Sequence, residues 1–204
     1  MEKPASTQIP IEPALAYRWS ARAIDPQKPV SQADQLRLFE AARWAPSCFG
    51  EEPWRYLIWD RFRDEPSWRR ACDCLTPKNQ AWGGKAPLLM LSLADPVFAH
   101  NGKPNRWAQH DVGAASENLC VQAVALGLVS HQMAGFDAAR IMQEFALPEN
   151  LIPLAMIAVG HPGDPATLDA DQQAKELGPR RRKPLAENFF ANAWAMPLEL
   201  NPAD

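Results

Sequence analysis

The sequence predicts an α+β fold, in which a mixed β-sheet carries helices on both faces. Two nearly continuous apolar runs, Pro87–Ala94 and Leu151–His161, have the composition of strands that are covered on both sides. Trp54–Asp60 is rich in aromatic and branched residues, which favours a third strand. Helical segments separate these strands without a regular strand–helix–strand period, so a purely parallel sheet is not expected.

The N-terminal part is expected to contain an arm and two helices. Residues 1–14 hold several prolines and are predicted to be extended. A short helix is predicted at 14–19. Ser31 and Asp34 resemble a capping box and predict the start of a second helix, which Pro46 ends.

The middle of the chain is predicted to hold a short helix, a loop and one long helix. Residues 65–75 are expected to be helical, and 95–107 hold the Asp, Pro, Asn and Gly of a loop. The long helix is predicted from Asp111 to about Leu126, with Gly127 as its C-terminal cap. Its small residues would let another helix approach closely. They are Gly113, Ala114, Ala115, Ser116, Ala123 and Ala125.

The C-terminal part is predicted to be mostly irregular. Asp137 can cap a short helix, residues 162–180 are expected to form a polar loop, and 186–194 a last short helix. No linker or repeat divides residues 15–195, so they are predicted to form one domain, followed by the tail 196–204.

Composition excludes several classes of protein. The 204 residues carry a formal net charge of −3, which argues against nucleic acid or an anionic membrane as the main partner. No apolar stretch is long enough to span a bilayer. The cysteines are too sparse for a disulfide scaffold, and neither they nor the histidines have metal-ligand spacing. We therefore expect reduced thiols, a cytoplasmic location and no metal. The cysteines are Cys48, Cys72, Cys74 and Cys120.

Two cationic stretches lie near opposite ends of the chain. Arg18, Ser20 and Arg22 occupy alternate positions, so their side chains point to one side of an extended segment. Arg180 and Arg182 alternate in the same way. Because arginine binds phosphate in a bidentate manner, both stretches suit a phosphorylated ligand. The alternative is that they are solvated charged segments, or for the second a nucleic-acid patch, which the negative net charge disfavours.

A turn of small residues lies between the two cationic stretches. In Ala45–Trp54, Ser47 and Cys48 offer backbone N–H groups and small side chains. Gly50 tolerates backbone angles that other residues avoid. Backbone could therefore approach a flat ligand here, although the segment could also simply connect a helix to a strand. For Cys48 we favour an inert thiol over a reactive one.

These stretches, in this order, resemble the nitroreductase-like FMN enzymes. Arg18–Arg22 matches the family's opening Arg-x-Ser-x-Arg/Lys cluster. The family's helix then ends in Ala-Pro-Ser-x-x-Asn-x-Gln-Pro-Trp, which Ala45–Ser47 and Pro53–Trp54 match in register. Gly50 stands where the family often has Asn, and Glu52 where it often has Gln. These two departures bear on substrate preference and on redox tuning.

Four further segments carry the resemblance. Asn79–Trp82 resembles the segment whose Asn reaches the flavin pyrimidine, and Met133–Asp137 resembles the loop whose backbone approaches flavin N5. Asp111–Leu128 resembles the family's long dimer helix. Arg180–Leu185 resembles the segment that closes on the 5′-phosphate.

The resemblance implies a three-layer α/β/α fold with a mixed, mainly antiparallel central sheet. It also implies a homodimer with FMN at the interface, and NAD(P)H as co-substrate. The expected activity is transfer of hydride through the flavin to an electron-poor acceptor such as a nitroaromatic or a quinone. No catalytic side chain is assigned, because the chemistry belongs to the flavin. The implied cofactor-binding residues are Arg18, Trp19, Ser20, Arg22, Pro46, Ser47, Cys48, Gly50, Asn79, Ala134, Gly135, Arg180 and Arg182.

Three alternatives stay open at this point. One is a specialised flavin enzyme on the same fold, such as a dehalogenase, an enoyl-type reductase or an oxidase. A second is a flavin-binding or sensory protein with little turnover, which Gly50 and Glu52 keep open. A third is an interaction protein without a cofactor.

Overall fold

The computed structural model describes residues 2–197, and four antiparallel strands form their central sheet. The strands are β1 (Trp54–Asp60), β2 (Leu88–Ala94), β3 (Val129–Met133) and β4 (Ile152–Gly160). Their order in the sheet is β1-β2-β4-β3. The predicted strands are confirmed, and β3 is an addition. Its sequence, Val-Ser-His-Gln-Met, is short and half polar, so it lacks the apolar signal of the others.

All three strand ladders are antiparallel. β2 pairs with β1 from Trp54↔Ala94 to Asp60↔Leu88, and with β4 through a ladder that shifts register between Ser92 and Leu93. Parallel pairing among residues 2–197 is limited to an isolated bridge between Ser20 and Ser130. The mainly antiparallel sheet that the resemblance implies is confirmed.

Seven α-helices lie within residues 2–197 and cover both faces of the sheet. They are α1 (Pro13–Tyr17), α2 (Gln32–Arg43), α3 (Glu65–Cys72), α4 (Pro77–Gly83), α5 (Ala108–Ala125), α6 (Ala138–Glu144) and α7 (Ala170–Leu177). Leu89 and Leu91 of β2 join one buried cluster, with residues of α3, α4 and α6. Leu88 and Met90 join the other, with residues of α2 and α5. Alternate side chains of β2 thus pack into two cores, one on each face of the sheet. The predicted three layers are confirmed.

The helix ends show the predicted caps. The Ser31 hydroxyl accepts the Asp34 N–H at 3.1 Å, and the Asp137 carboxylate accepts the Arg140 N–H at 2.9 Å. At the end of α5, Gly127 has a φ of 69°. There the N–H groups of Gly127 and Leu128 donate to carbonyls of the last turn at 2.9 and 2.8 Å, which is a Schellman motif.

Two predictions at the C-terminal end are wrong. The segment 162–180 is not only a loop, because α7 lies within it and buries Gln172 and Glu176, two polar residues that give no apolar periodicity. Residues 186–194 do not form an α-helix. Only Leu185–Glu187 makes a 3₁₀ turn, and Asn192 has a φ of 60°, which α-helix excludes. In the predicted tail, residues 198–204 lie outside the described residues.

The small residues of α5 divide between two environments. Ala115, Ser116 and Ala123 are buried, whereas Gly113 and Ala125 are exposed. None of the helices between residues 2 and 197 has the length and apolar character that a membrane span requires. In the same part of the chain, no group of three or more His, Cys, Asp or Glu side chains could hold a metal ion.

Candidate functional site

A cavity of about 260 Å³, here called the arginine pocket, lies between the chain that follows α1 and the segment that follows α7. It brings together the two cationic stretches that lie at opposite ends of the sequence. Most of its lining is cationic. The lining residues are Lys3, Arg18, Trp19, Ser20, Arg22, Lys175, Gly178, Pro179, Arg180, Arg181 and Arg182.

Glu176 of α7 holds the first cationic stretch in place. Its carboxylate accepts the N–H groups of Arg22 and Ala23 at 2.9 and 3.1 Å. The residue is 1% exposed, so it is a buried charge whose partners are backbone donors. Its backbone carbonyl accepts a hydrogen bond from the Lys3 ammonium. Sequence reasoning missed Glu176, because a single acidic residue in a polar segment carries no distinctive pattern.

Arg180 acts as a clasp between the two stretches. Its guanidinium donates to the carbonyls of Lys3, Ala16 and Arg18 at 2.8, 2.6 and 2.7 Å. These bonds use three of its five N–H groups, so two are left for a ligand. Direct contact between Arg180 and a phosphate stays a prediction, while its contacts within the chain tie the segment after α7 to the backbone of Arg18.

The positive charge of the pocket is only partly neutralised. Arg18 forms an ion pair with Glu117 of α5 at 2.9 Å. Arg22, Arg180 and Arg182 form no ion pair with any of residues 2–197. Burial lowers the pKa of Arg180, and repulsion from Arg18 and Arg182 lowers it further. Such a cluster is stabilised by an anion.

An aromatic platform lies beneath the pocket. The Arg22 guanidinium is 5.8 Å from the Trp82 ring centroid, and the Trp82 ring is 4.4 Å from that of His131. The imidazole Nδ1 of His131 lies 3.0 Å from the Ala21 carbonyl. Burial lowers the pKa of His131 to about 4, so the ring is neutral at neutral pH and we assign its proton to Nδ1 as the donor.

A second predicted contact lies where Asn79 of α4 meets the loop after β3. The Asn79 amide donates to the Gly135 carbonyl at 3.0 Å. A Cβ at Gly135 would lie 2.6 Å from that amide nitrogen, so a larger residue would displace Asn79. Ala134 is exposed beside it. Asn79 lies on the same helix, α4, as Trp82, whose buried ring contacts the Arg22 guanidinium.

The turn at Pro46–Gly50 lies in a different place. It borders a cavity of about 470 Å³ lined by Phe49, Gly50, Glu51, Ala99 and His100, here called the aromatic pocket. This cavity shares no lining residue with the arginine pocket. Within one chain, the structure therefore joins the cationic stretches but not the turn between them.

Buried and local contacts fix the shape of the turn. The carboxylate of Asp111, buried in α5, accepts the Cys48 N–H at 3.0 Å. The Ser47 hydroxyl accepts the Glu52 N–H at 3.1 Å. Gly50 has a φ of 65°, which confirms its predicted backbone freedom. Pro46 is exposed, while Ser47 and Cys48 are half-buried.

Comparison with known families identifies one match. The model of the Nitroreductase family matches residues 15–161. This range contains the first cationic stretch, the turn, α4 and the loop after β3. It ends before Glu176 and the second cationic stretch.

Individual relatives agree with that match. A Staphylococcus haemolyticus protein, provisionally named an NAD(P)H nitroreductase, is 37% identical over 199 residues, which cover 77% of this chain and 90% of the relative. A crystal structure described as an oxidoreductase containing FMN has a TM-score of 0.87 at 30% identity, covering 93% of this chain and 96% of its own. A provisionally named nitroreductase from Desulfovibrio desulfuricans, solved in complex with FMN, has a TM-score of 0.71 at 25% identity, covering 92% and 99%.

Proposed function

The chain belongs to the nitroreductase family, and from this premise we propose that it is an FMN-dependent oxidoreductase that uses NAD(P)H to reduce an electron-poor acceptor, such as a nitroaromatic or a quinone. The observation that carries the proposal is the arginine pocket. It gathers Arg18, Arg22 and Arg182 around one cavity, with no carboxylate partner for the latter two within residues 2–197.

The donor set fits the phosphate of FMN. That phosphate carries nearly two negative charges at neutral pH, and guanidinium groups match its oxygen atoms in a bidentate manner. We assign the contacts to Arg18, Arg22 and Arg182, together with Ser20 and the free N–H groups of Arg180. Trp19 lines the same cavity. The buried carboxylate of Glu176 is occupied by backbone N–H groups and orients the segment that carries Arg22.

The flavin ring would extend from this pocket across the surface of α4. We place the ring beside Asn79, Ala134 and Gly135, where the Asn79 amide donates to the Gly135 carbonyl and a side chain at Gly135 would displace Asn79. When bound, FMN supplies the redox chemistry, because it takes hydride from NAD(P)H and delivers two electrons to the acceptor. The side chains named above bind and orient it, and a backbone N–H from Ala134 or Gly135 is the nearest group for tuning N5.

The separation of the turn from the arginine pocket favours a site shared by two chains. We propose a homodimer in which Pro46, Ser47, Cys48 and Gly50 of one copy face the flavin held by the arginine pocket of the other. The exposed small residues Gly113 and Ala125 of α5 leave room for a close approach between copies.

The visible absorption spectrum of the purified protein is the first test. We expect the absorption bands of an oxidised flavin. The apoprotein should bind FMN at least about 100-fold more tightly than riboflavin, because riboflavin lacks the phosphate. Anaerobic NAD(P)H oxidation with menadione or nitrobenzene then tests turnover. A colourless protein that fails to bind added FMN contradicts the proposal.

The same measurements separate the alternative functions. A yellow protein that shows no NAD(P)H oxidation with any acceptor would be a flavin-binding protein with little turnover. The carboxylate of Glu52, in a turn where the family often has Gln, favours that candidate, because negative charge near the ring opposes its reduction. Product analysis under anaerobic conditions would identify a dehalogenase or an enoyl-type reductase, and oxygen consumption would identify an oxidase.

A further inference from the structure

Phe49, in the turn after α2, is an aromatic side chain held out into solvent by its backbone. It is 84% exposed, and its φ of 56° places a bulky residue in the left-handed region. Bulky residues rarely adopt that conformation, and those that do cluster at ligand sites. A strained and exposed ring therefore points to a contact outside the chain.

Two more rings complete a face around Phe49. The Phe49 centroid lies 5.9 Å from that of Phe98 and 5.9 Å from that of His100. Phe98 and His100 lie 5.2 Å apart. Both belong to a hairpin in which the Phe98 N–H donates to the Lys103 carbonyl at 2.9 Å. The three rings line or border the aromatic pocket, and neither neighbour covers the exposed face of Phe49.

Glu51 joins the turn to the hairpin and gives the pocket its charge. One carboxylate oxygen accepts the Ala99 N–H at 2.6 Å, and the other lies 3.3 Å from His100 Nδ1. The hydrogen bond from Ala99 lowers the pKa of Glu51, and that from His100 lowers it further. The carboxylate therefore stays ionised at neutral pH, and the lining holds no Lys or Arg.

We propose that the aromatic pocket binds the ring of the electron acceptor and selects uncharged flat aromatic molecules over anionic ones. This inference rests on the proposed function, because the acceptor must reach the flavin at the turn that carries Phe49. The ring of the acceptor stacks on Phe49, with Phe98 and His100 at its edge. An acceptor that carries a carboxylate is repelled by Glu51.

Typical interaction energies set the size of both effects. An aromatic pair contributes enough to change affinity by roughly threefold to tenfold. Two like charges about 6 Å apart change affinity by roughly threefold where water screens them fully, and by more where the site excludes water. Nitrobenzene and 4-nitrobenzoate are a matched pair of probes, since they share a reducible ring and differ by one carboxylate.

The experiment measures binding without turnover. Saturation-transfer NMR of both probes is recorded on the oxidised, flavin-loaded protein in the absence of NAD(P)H. The variant Phe49→Leu keeps an apolar side chain and removes the ring, and Phe62→Leu, at another exposed phenylalanine, is the control. We expect nitrobenzene to bind about threefold to tenfold more weakly to Phe49→Leu, with Phe62→Leu unchanged.

A second variant tests the charge selection. Glu51→Gln keeps an oxygen for the Ala99 N–H and removes the negative charge. We expect it to bind 4-nitrobenzoate about threefold to tenfold more tightly than wild type and to leave nitrobenzene unchanged. The same order should appear in KM during turnover.

The outcomes separate this inference from the function beneath it. A flavin-loaded, active protein whose nitrobenzene binding is unchanged by Phe49→Leu overturns the inference alone. Equal affinity of wild type for the two probes overturns the charge selection. A wild-type protein that holds no flavin overturns the proposed function, and the inference with it.

Discussion

The arginine pocket and the aromatic pocket are built in opposite ways. The first stands on buried groups, since Glu176, Trp82 and the half-buried His131 lie beneath it and the Arg180 clasp closes it. The second is made by a surface turn and a hairpin, joined through Glu51. Recognition of a fixed charge needs hydrogen-bond donors that are held rigidly, because each donor binds the ligand more weakly when it moves out of position. Binding of a flat apolar ring depends less on direction, so the residues that contact it need not be held as rigidly.

Their electrostatics differ in the same sense. Five arginines line the arginine pocket, whereas the lining of the aromatic pocket holds the Glu51 carboxylate and neither Lys nor Arg. One chain thus carries a region suited to an anion and another suited to a neutral ring. We expect treatments that act on charge to affect the first region far more than the second.

Removal of two arginines should have the largest effect. In the double variant Arg18→Ala/Arg182→Ala, two charge-assisted contacts to phosphate are lost, each worth about 1.5–3 kcal/mol. FMN affinity, measured by fluorescence titration of the apoprotein, should fall by about 100-fold or more. Riboflavin affinity should change little, because riboflavin has no phosphate.

A matched control removes two surface arginines instead. Arg37 pairs with Asp34 on the exposed side of α2. Arg63, just after β1, pairs with Asp60. The double variant Arg37→Ala/Arg63→Ala should keep wild-type FMN affinity. Full FMN affinity in the Arg18→Ala/Arg182→Ala protein would end the contrast between the two pockets.

Acid should weaken the support of the arginine pocket. The pKa of His131 is about 6.5 in the unfolded chain, whereas burial lowers it to about 4 in the folded chain. Between these values the unfolded state binds more protons, so stability falls as pH falls from 6.5 to 4, by about 3 kcal/mol in all. Urea unfolding of wild type across this range measures the loss.

The variant His131→Gln isolates that contribution. Its amide can still donate to the Ala21 carbonyl but does not titrate in this range. The pH dependence of its unfolding free energy should be shallower than that of wild type by about 1.4 kcal/mol per pH unit at most. Parallel curves for the two proteins would show that His131 is not the group responsible.

Salt should produce the smallest difference, yet it addresses both pockets at once. Raising NaCl from about 50 mM to about 500 mM screens charges separated by more than a few ångströms. We expect FMN affinity to fall by about threefold to tenfold and nitrobenzene affinity to stay within about twofold. Equal loss for both ligands would mean that the two regions do not differ in electrostatic character.

The predictable parts of the site were those with a recognisable local pattern in the sequence. Alternation in Arg18–Arg22 and Arg180–Arg182, and the small residues at Pro46–Gly50, indicate candidate ligand contacts without any structure. Glu176 and Glu117 were missed, because a lone carboxylate in a polar segment looks the same whether it is buried or solvated. The ring cluster of Phe49, Phe98 and His100 was also missed, since its members are some 50 residues apart.

By itself the sequence determined much, but not all, of the local structure of this protein. Apolar runs set β1, β2 and β4, and caps set the limits of α2 and α6, because these features depend on neighbours within a few residues. Only the tertiary structure decided which distant groups meet. In the folded chain, three N–H groups of Arg180 donate to backbone carbonyls, and the buried Glu176 accepts the Arg22 N–H. The tertiary structure also kept the turn away from the arginines, since long-range contacts follow from packing of the whole sheet and leave no periodic trace in the chain.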